Sequence, residues 1–198
     1  MVTGYLFKDR DGQTPLTLEQ QKGLIPKNLQ TMGELDEHEE ANIAEGLAWL
    51  PKATGNHRTY AFWLTLHKRL FGQVWRWAGS VRKEELANPE FKLPHEIWPE
   101  IGNLEKELGY WLKEKPFKDE EIAARLHQRL LTIHPFPNGN GRWSRILTEH
   151  ICNKEDLPIP SWGVKHREDP KLRRDLYIKS VQKARSGDHS ALQKFMYE

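Results

Sequence analysis

His134-Pro135-Phe136-Pro137-Asn138-Gly139-Asn140-Gly141-Arg142-Trp143-Ser144-Arg145 is the stretch on which the reading of this chain turns. Helical spacing runs up to it through Ile122, Leu126, Leu130 and Ile133, and resumes after it at Trp143, Ile146, Leu147, His150 and Ile151. Pro135 and Pro137 forbid a regular helix across the gap, so a loop must join the two runs. Gly139 and Gly141 open backbone angles closed to other residues, which lets successive N–H groups turn inward as an anion-binding nest. A helix beginning near Asn140 adds its positive end to the same spot. Arg142 and Arg145 stand three apart on that helix, a spacing that suits a polyphosphate. His134 precedes the nest on a proline-stiffened loop, where a neutral imidazole can take a proton from an attacking hydroxyl. Gly-Asn-Gly alone fits an ordinary turn before a surface helix; the histidine, phenylalanine, glycines, asparagine and paired arginines together argue against that reading.

Working outward, the pattern predicts a mainly helical domain. Up to about Thr31, Gly12, Pro15, Gly23 and Pro26 punctuate scattered apolar residues, which predicts an extended N-terminal arm over 1–33. From 34 onward Leu35, Ile43, Leu47 and Leu50 predict an amphipathic helix that Pro51 stops. A second helix carries Tyr60, Trp63, Leu64, Leu70 and Phe71 and ends at Gly72. Between Val74 and Pro94 the helical period fails, which predicts loop and a short β-hairpin. Ile97, Ile101, Leu104, Leu108, Trp111 and Leu112 then give a clear amphipathic helix ended by Pro116. Later helices are expected around Leu172, Leu176, Val181 and Ala184, and around Leu192, Phe195 and Met196.

Composition narrows the function classes. The 198 residues suit one domain with an extra arm. Thirty Lys and Arg against 28 Asp and Glu leave a net charge of +2, which gives no electrostatic case for nucleic acid as the main ligand. Cys152 is the only cysteine, so neither an internal disulfide nor a four-ligand zinc site can be built on thiols. No segment approaches the length needed to cross a bilayer, and a soluble cytoplasmic protein without membrane contact is expected.

The loop resembles the signature of the Fic family, His-x-Phe-x-acidic-Gly-Asn-Gly-Arg-x-x-Arg, at every position but one. Leu70-Phe71-Gly72-Gln73-Val74-Trp75-Arg76-Trp77-Ala78-Gly79 resembles the segment that leads to the family's flap hairpin. The resemblance implies a Fic fold over 34–198, a helical bundle with a β-hairpin flap at Val81–Lys92 that holds a target segment by main-chain pairing. It implies protein adenylyltransfer: AMP from ATP, with Mg²⁺ or Mn²⁺, onto a Ser, Thr or Tyr hydroxyl of a target protein. His134 is then the general base and Phe136 the core anchor. Gly139, Asn140 and Gly141 hold the phosphates, Arg142 neutralises the β-phosphate, and Arg145 meets the γ-phosphate. Asn138 stands where the pattern has an acidic metal ligand, and a neutral amide oxygen binds a hard cation more weakly. Asp11-Gly12-Gln13-Thr14-Pro15-Leu16 and Gly23-Leu24-Ile25-Pro26-Lys27 are similar to the subgroup called mobile mystery protein B, which implies a helix-turn-helix partner encoded nearby.

Ala41-Asn42-Ile43-Ala44-Glu45-Gly46 resembles the family's inhibitory helix, with Ala41 in place of the usual hydroxyl. The resemblance makes 34–50 a built-in brake in which Glu45 pairs with Arg145; a glutamate on a charged helix is otherwise an ordinary solvated residue. Two rivals stay open. One is transfer of another group, phosphate or UMP; the other is a non-catalytic module that binds a nucleotide or phosphate. Trp143 and Trp162 are expected to pack, His127 and His150 receive no role, and the sequence does not establish whether Tyr177 or Lys179 approaches the base.

Overall fold

The computed structural model describes residues 18–198. Among them the regular structure is helical, and an isolated bridge between Leu24 and Trp75 takes the place of a sheet. The chain divides into two compact units, each described in turn.

The first unit holds the described residues up to Asn56, with Ala61–Arg82 and Phe136–Gly139. Leu18–Lys22 forms a short helix, α1, where the sequence predicts an extended arm. Leu, Glu, Gln and Lys are good helix formers, and the glycine at 23 is what releases the chain. Beyond it the strand-like stretch does appear: Ile25 N–H donates to Val74 O (2.8 Å), and Arg76 N–H to Gly23 O (2.8 Å). Asp11–Leu16 lies outside the described residues.

Thr31 starts α2, Met32–Trp49, through a capping box: its Oγ1 accepts from Glu34 N–H (3.2 Å), and Glu34 Oε2 accepts from Thr31 N–H (3.1 Å). The buried face of α2 is Leu35, Glu39, Asn42 and Gly46; of the predicted stripe Leu35 is buried, as is Leu50 just past the helix, while Leu47 is 44 % exposed. Polar contacts explain the shift. Glu39 accepts from Trp75 Nε1 (2.6 Å), and Asn42 bridges the end of α3, Tyr60–Phe71, by donating to Arg69 O (3.0 Å) and accepting from Gln73 N–H (2.8 Å). Gly46 permits the close approach, because a Cβ there would stand 2.8 Å from Leu70 Cδ2 and 3.0 Å from Arg69 O.

The second unit holds His57–Tyr60, Lys83–Pro135 and Asn140–Glu198. Its helices are α4 (Ile97–Glu114), α5 (Asp119–Ile133), α6 (Asn140–Lys154), α7 (Pro170–Arg185) and α8 (Ser190–Tyr197). Here α5 is the hub, packed by α4, α6, α7 and α8. The sequence predicts a one-sided stripe on α5, but Ala123, Ala124, His127, Gln128 and Leu131 are buried as well. Each Leu or Ile buried on it contributes on the order of 1.5–3 kcal/mol. Asp119, Glu120 and Glu121 in its first turn suit the positive helix end.

The predicted hairpin at Val81–Lys92 is not a strand ladder. Lys83-Glu84-Glu85 carries no apolar alternation, Pro89 lacks an N–H, and Asn88 turns the chain by accepting from Glu90 N–H at its Oδ1 (3.0 Å) and from Phe91 N–H at its carbonyl (3.2 Å). The backbone tie of this segment within its own unit is Lys92 N–H to Thr132 O (3.1 Å).

Candidate active site

Helix α5 runs directly into His134, whose N–H closes the last turn on Leu130 O (3.0 Å). His134 sits in the left-handed region, φ 49° and ψ 59°, a strained backbone for a residue with a Cβ, and Pro135 bars any further helix. Its Nδ1 lies 3.3 Å from Leu131 O. A carbonyl only accepts, so Nδ1 carries the hydrogen and Nε2 keeps the basic lone pair. The ring of Phe91 lies flat against the imidazole, centroids 3.7 Å apart and planes 17° off parallel.

Asn140 opens α6 and is buried. The first-turn N–H groups of a helix point out of its start and make that end positive, and in α6 this end is the segment beginning at Asn140. A Cβ built on Gly141 would meet nothing within 4 Å among the described residues, so open ground lies before this turn. Arg142 stands half-buried on it. Arg145, one turn on, donates from Nε to Gly141 O (3.1 Å) and lies 5.7 Å from the centre of the Tyr177 ring.

Tyr177 is itself anchored, its hydroxyl 2.9 Å from His127 Nε2. Burial, and then the charge of Arg145, push His127 down to about 3, so it is neutral at any physiological pH. Burial likewise raises the Tyr177 hydroxyl to about 12. Glu149, next to Arg145 along α6, is raised by burial and accepts from Trp162 Nε1.

The middle of the loop belongs to the first unit. Phe136 is fully buried and stacks on His67, centroids 3.6 Å apart and planes 19° off parallel. His67 Nδ1 accepts from Gly79 N–H (3.0 Å), so the hydrogen is on Nε2, which donates to Asn138 O (3.1 Å). Gln20 Nε2 donates to Pro137 O (2.6 Å). Gly139 has φ 78°, and a Cβ there would press to 2.9 Å from the Phe71 ring. Glu45 is exposed on α2 and accepts from the side-chain amide of Gln73.

The sequence pattern of the Fic/DOC family matches residues 55–152, which include the whole of this loop. The chain belongs to the Fic/DOC family. The protein adenylyltransferase Fic of Aedes aegypti is 24 % identical over 189 residues, 90 % of this chain and 36 % of the relative. A uridine 5'-monophosphate transferase of Xanthomonas campestris pv. campestris is 45 % identical over 38 residues, 19 % of this chain and 7 % of its own. The chain thus spans about a third of the length of the adenylyltransferases it matches. Among solved structures, BepC of Bartonella tribocorum, crystallised with AMPPNP, superposes with a TM-score of 0.67 at 18 % identity, covering 91 % of this chain and 96 % of that one. The fold is therefore the Fic fold.

Of the Fic signature positions, His134, Asn140, Gly141, Arg142 and Arg145 fall in the second unit, while Phe136, Asn138 and Gly139 fall in the first, as does Glu45 of the inhibitory-helix motif. Asn138 Oδ1 accepts from Gly139 N–H (2.6 Å), and no cluster of three or more His, Cys, Asp or Glu side chains is poised for a metal among the described residues. The side-chain oxygen of Asn138, the expected metal ligand, is thus engaged within its own loop. Among the described residues, no helix is long and apolar enough to cross a membrane.

Sequence reasoning missed the parts played by four residues. His67 shows in the sequence only as the middle of an ordinary helix, and its partners are 12 and 71 residues away. Phe91 lies in a stretch without period. His127 and Tyr177 are 50 residues apart, and only the packing of α5 against α7 pairs them.

Proposed function

We propose that this Fic domain transfers AMP from ATP to a side-chain hydroxyl of a target protein. The observation that carries the reading is the tautomer of His134. With Nδ1–H turned to Leu131 O, the neutral ring presents Nε2 as a base, six residues of chain before α6 begins.

In the proposed reaction the target oxygen attacks the α-phosphorus as Nε2 takes its proton. A new P–O ester bond forms, the bond from the α-phosphorus to the oxygen bridging to the β-phosphate breaks, and pyrophosphate leaves. The first-turn N–H groups of α6 and the Arg142 guanidinium hold the phosphates, and Arg145, fixed by Gly141 O and Tyr177, meets the far end. Catalysis is then positioning plus charge stabilisation on a preformed frame. A divalent ion that travels with ATP would neutralise phosphate charge, and Asn138 would be the residue of the loop that holds it.

The test is incubation with ATP labelled at the α- or the γ-phosphate, with and without Mg²⁺ or Mn²⁺. Label from the α-position on protein, lost in His134→Ala, is expected; no α-label in wild type or Glu45→Gly counts against the reading. UMP transfer is the second reading, favoured by the short match to the uridylyl-transferring relative, and α-labelled UTP beside ATP separates the two. The brake assigned to Glu45 rests on the resemblance of Ala41–Gly46 alone. The target protein and the helix-turn-helix partner belong to this proposal too, as does a cytoplasmic setting.

A further inference from the structure

Phe91 and Arg185 belong to no signature, yet Phe91 packs on His134 and Arg185 lies over Phe91. Phe91 covers one face of the imidazole in a near-parallel stack at 3.7 Å. Five contacts hold Phe91 there. Its own N–H donates to Asn88 O (3.2 Å), and the next residue's N–H donates to Thr132 O, two residues before His134 (3.1 Å). The Lys92 ammonium lies 3.3 Å from Glu100 on α4. Arg185, the last residue of α7, pairs with Glu90 and lies over Phe91, 5.5 Å from the ring centre.

Arg185 is held at a cost. Its Nε is buried with no hydrogen-bond partner, and burial lowers the affinity of the guanidinium for its proton. A desolvated, incompletely paired arginine is a poor source of stability, since replacing such a group by an apolar one is often neutral. What it does accomplish is to fix Glu90 and Phe91 beside a histidine that stands in a strained backbone conformation.

We propose that Phe91 is a positioning residue for His134, setting the plane of the imidazole so that Nε2 meets the acceptor hydroxyl, and that Arg185 anchors Phe91 in that role. This rests on the reading of His134 as the base. A parallel ring at van der Waals distance blocks rotation about the bond that carries the imidazole, which a long Nδ1–H contact at 3.3 Å limits only weakly. Misplacement of a reacting group by about 1 Å costs on the order of 100-fold in rate. Phe91 acts in this role on the base and not on the residues assigned to the phosphates, so its loss should fall on turnover and leave nucleotide affinity alone.

The experiment measures kcat and KM for ATP, together with the Cε1–H resonance of His134 in protein labelled at histidine, for wild type, Phe91→Leu, Phe91→Tyr, Arg185→Ala and His134→Ala. Expected are a fall in kcat on the order of 10- to 100-fold in Phe91→Leu at unchanged KM, a downfield move of the resonance as the ring current is lost, recovery of both in Phe91→Tyr, and a smaller change of the same sign in Arg185→Ala. Unchanged kcat in Phe91→Leu beside an inactive His134→Ala overturns the positioning role alone. A fall in kcat with an unmoved resonance also overturns it, since Phe91 would then act on the acceptor. Transfer retained by His134→Ala takes down the base and the positioning role together.

Discussion

The imidazole of His67 lies flat on the ring of Phe136, 3.6 Å between centroids, and both are fully buried. The same imidazole reads two loops at once: Nδ1 accepts from Gly79 N–H and Nε2–H donates to Asn138 O. Each nitrogen has one role, so the neutral tautomer is fixed by its partners. His67→Ala removes the stack and takes away the partner of a half-buried N–H, that of Gly79, and of a half-buried C=O, that of Asn138. Its expected cost is about 3 kcal/mol, a fall in Tm of roughly 6–12 °C for a domain this size. A thermal melt checks it, and a loss under 1 °C would show that the contacts are dispensable.

Gly46 and Glu45 are neighbours in one sequence motif but have separable jobs. Gly46 lets α2 touch α3, so Gly46→Ala should destabilise the fold by on the order of 1–3 kcal/mol through overpacking. Glu45 is exposed and held by Gln73, so Glu45→Gly should cost only about 1 kcal/mol, from glycine's poor helix propensity. If Glu45 is the brake, that same variant raises self-modification several-fold. Equal labelling of wild type and Glu45→Gly removes it from regulation, whatever the melts show.

The helices were legible where one face is apolar and the other wet. Ile97, Ile101, Leu104, Leu108 and Trp111 on α4 are buried as their spacing predicts. The period finds Leu35 on α2 but misses Glu39, Asn42 and Gly46 on the same buried face, because polar groups that satisfy one another across a helix pair leave no hydrophobic signal. It also underestimates α5, which is covered on nearly every side. In the candidate site the signature loop announced itself through residue types that are uncommon together. Its supports did not, since His67, Phe91 and Tyr177 act through contacts that only the tertiary fold creates.

Cys152 tests how closed the α6 interior is. Its thiol is fully buried, and that burial pushes it up to about 12. The reactive thiolate is therefore scarce at pH 8. Ellman's reagent should report no free thiol on the native protein within minutes and one thiol after denaturation in guanidinium. Rapid reaction of the native protein would mean that α6 opens readily, and with it the frame that holds Arg145.

The buried pair of His127 and Tyr177 predicts how the fold responds to acid. Held down to about 3 by burial and Arg145, His127 binds no proton in the native state until far below the point at which an unfolded histidine does, near 6.5. Between those limits the unfolded chain carries the extra proton, so stability is full above pH 6.5 and is lost as pH falls toward 3. The slope is about 1.4 kcal/mol per pH unit, or about 2 kcal/mol between pH 6.5 and 5. His150, lowered to about 4 by burial, with His57 and Lys154 adding to it, acts in the same direction. Urea melts at pH 7.5 and 5.0 should show the loss, and His127→Gln, which has no proton to gain, should reduce it by about 2 kcal/mol. An identical pH dependence in that variant would mean that His127 is not held neutral, and that the charge of Arg145 does not reach it.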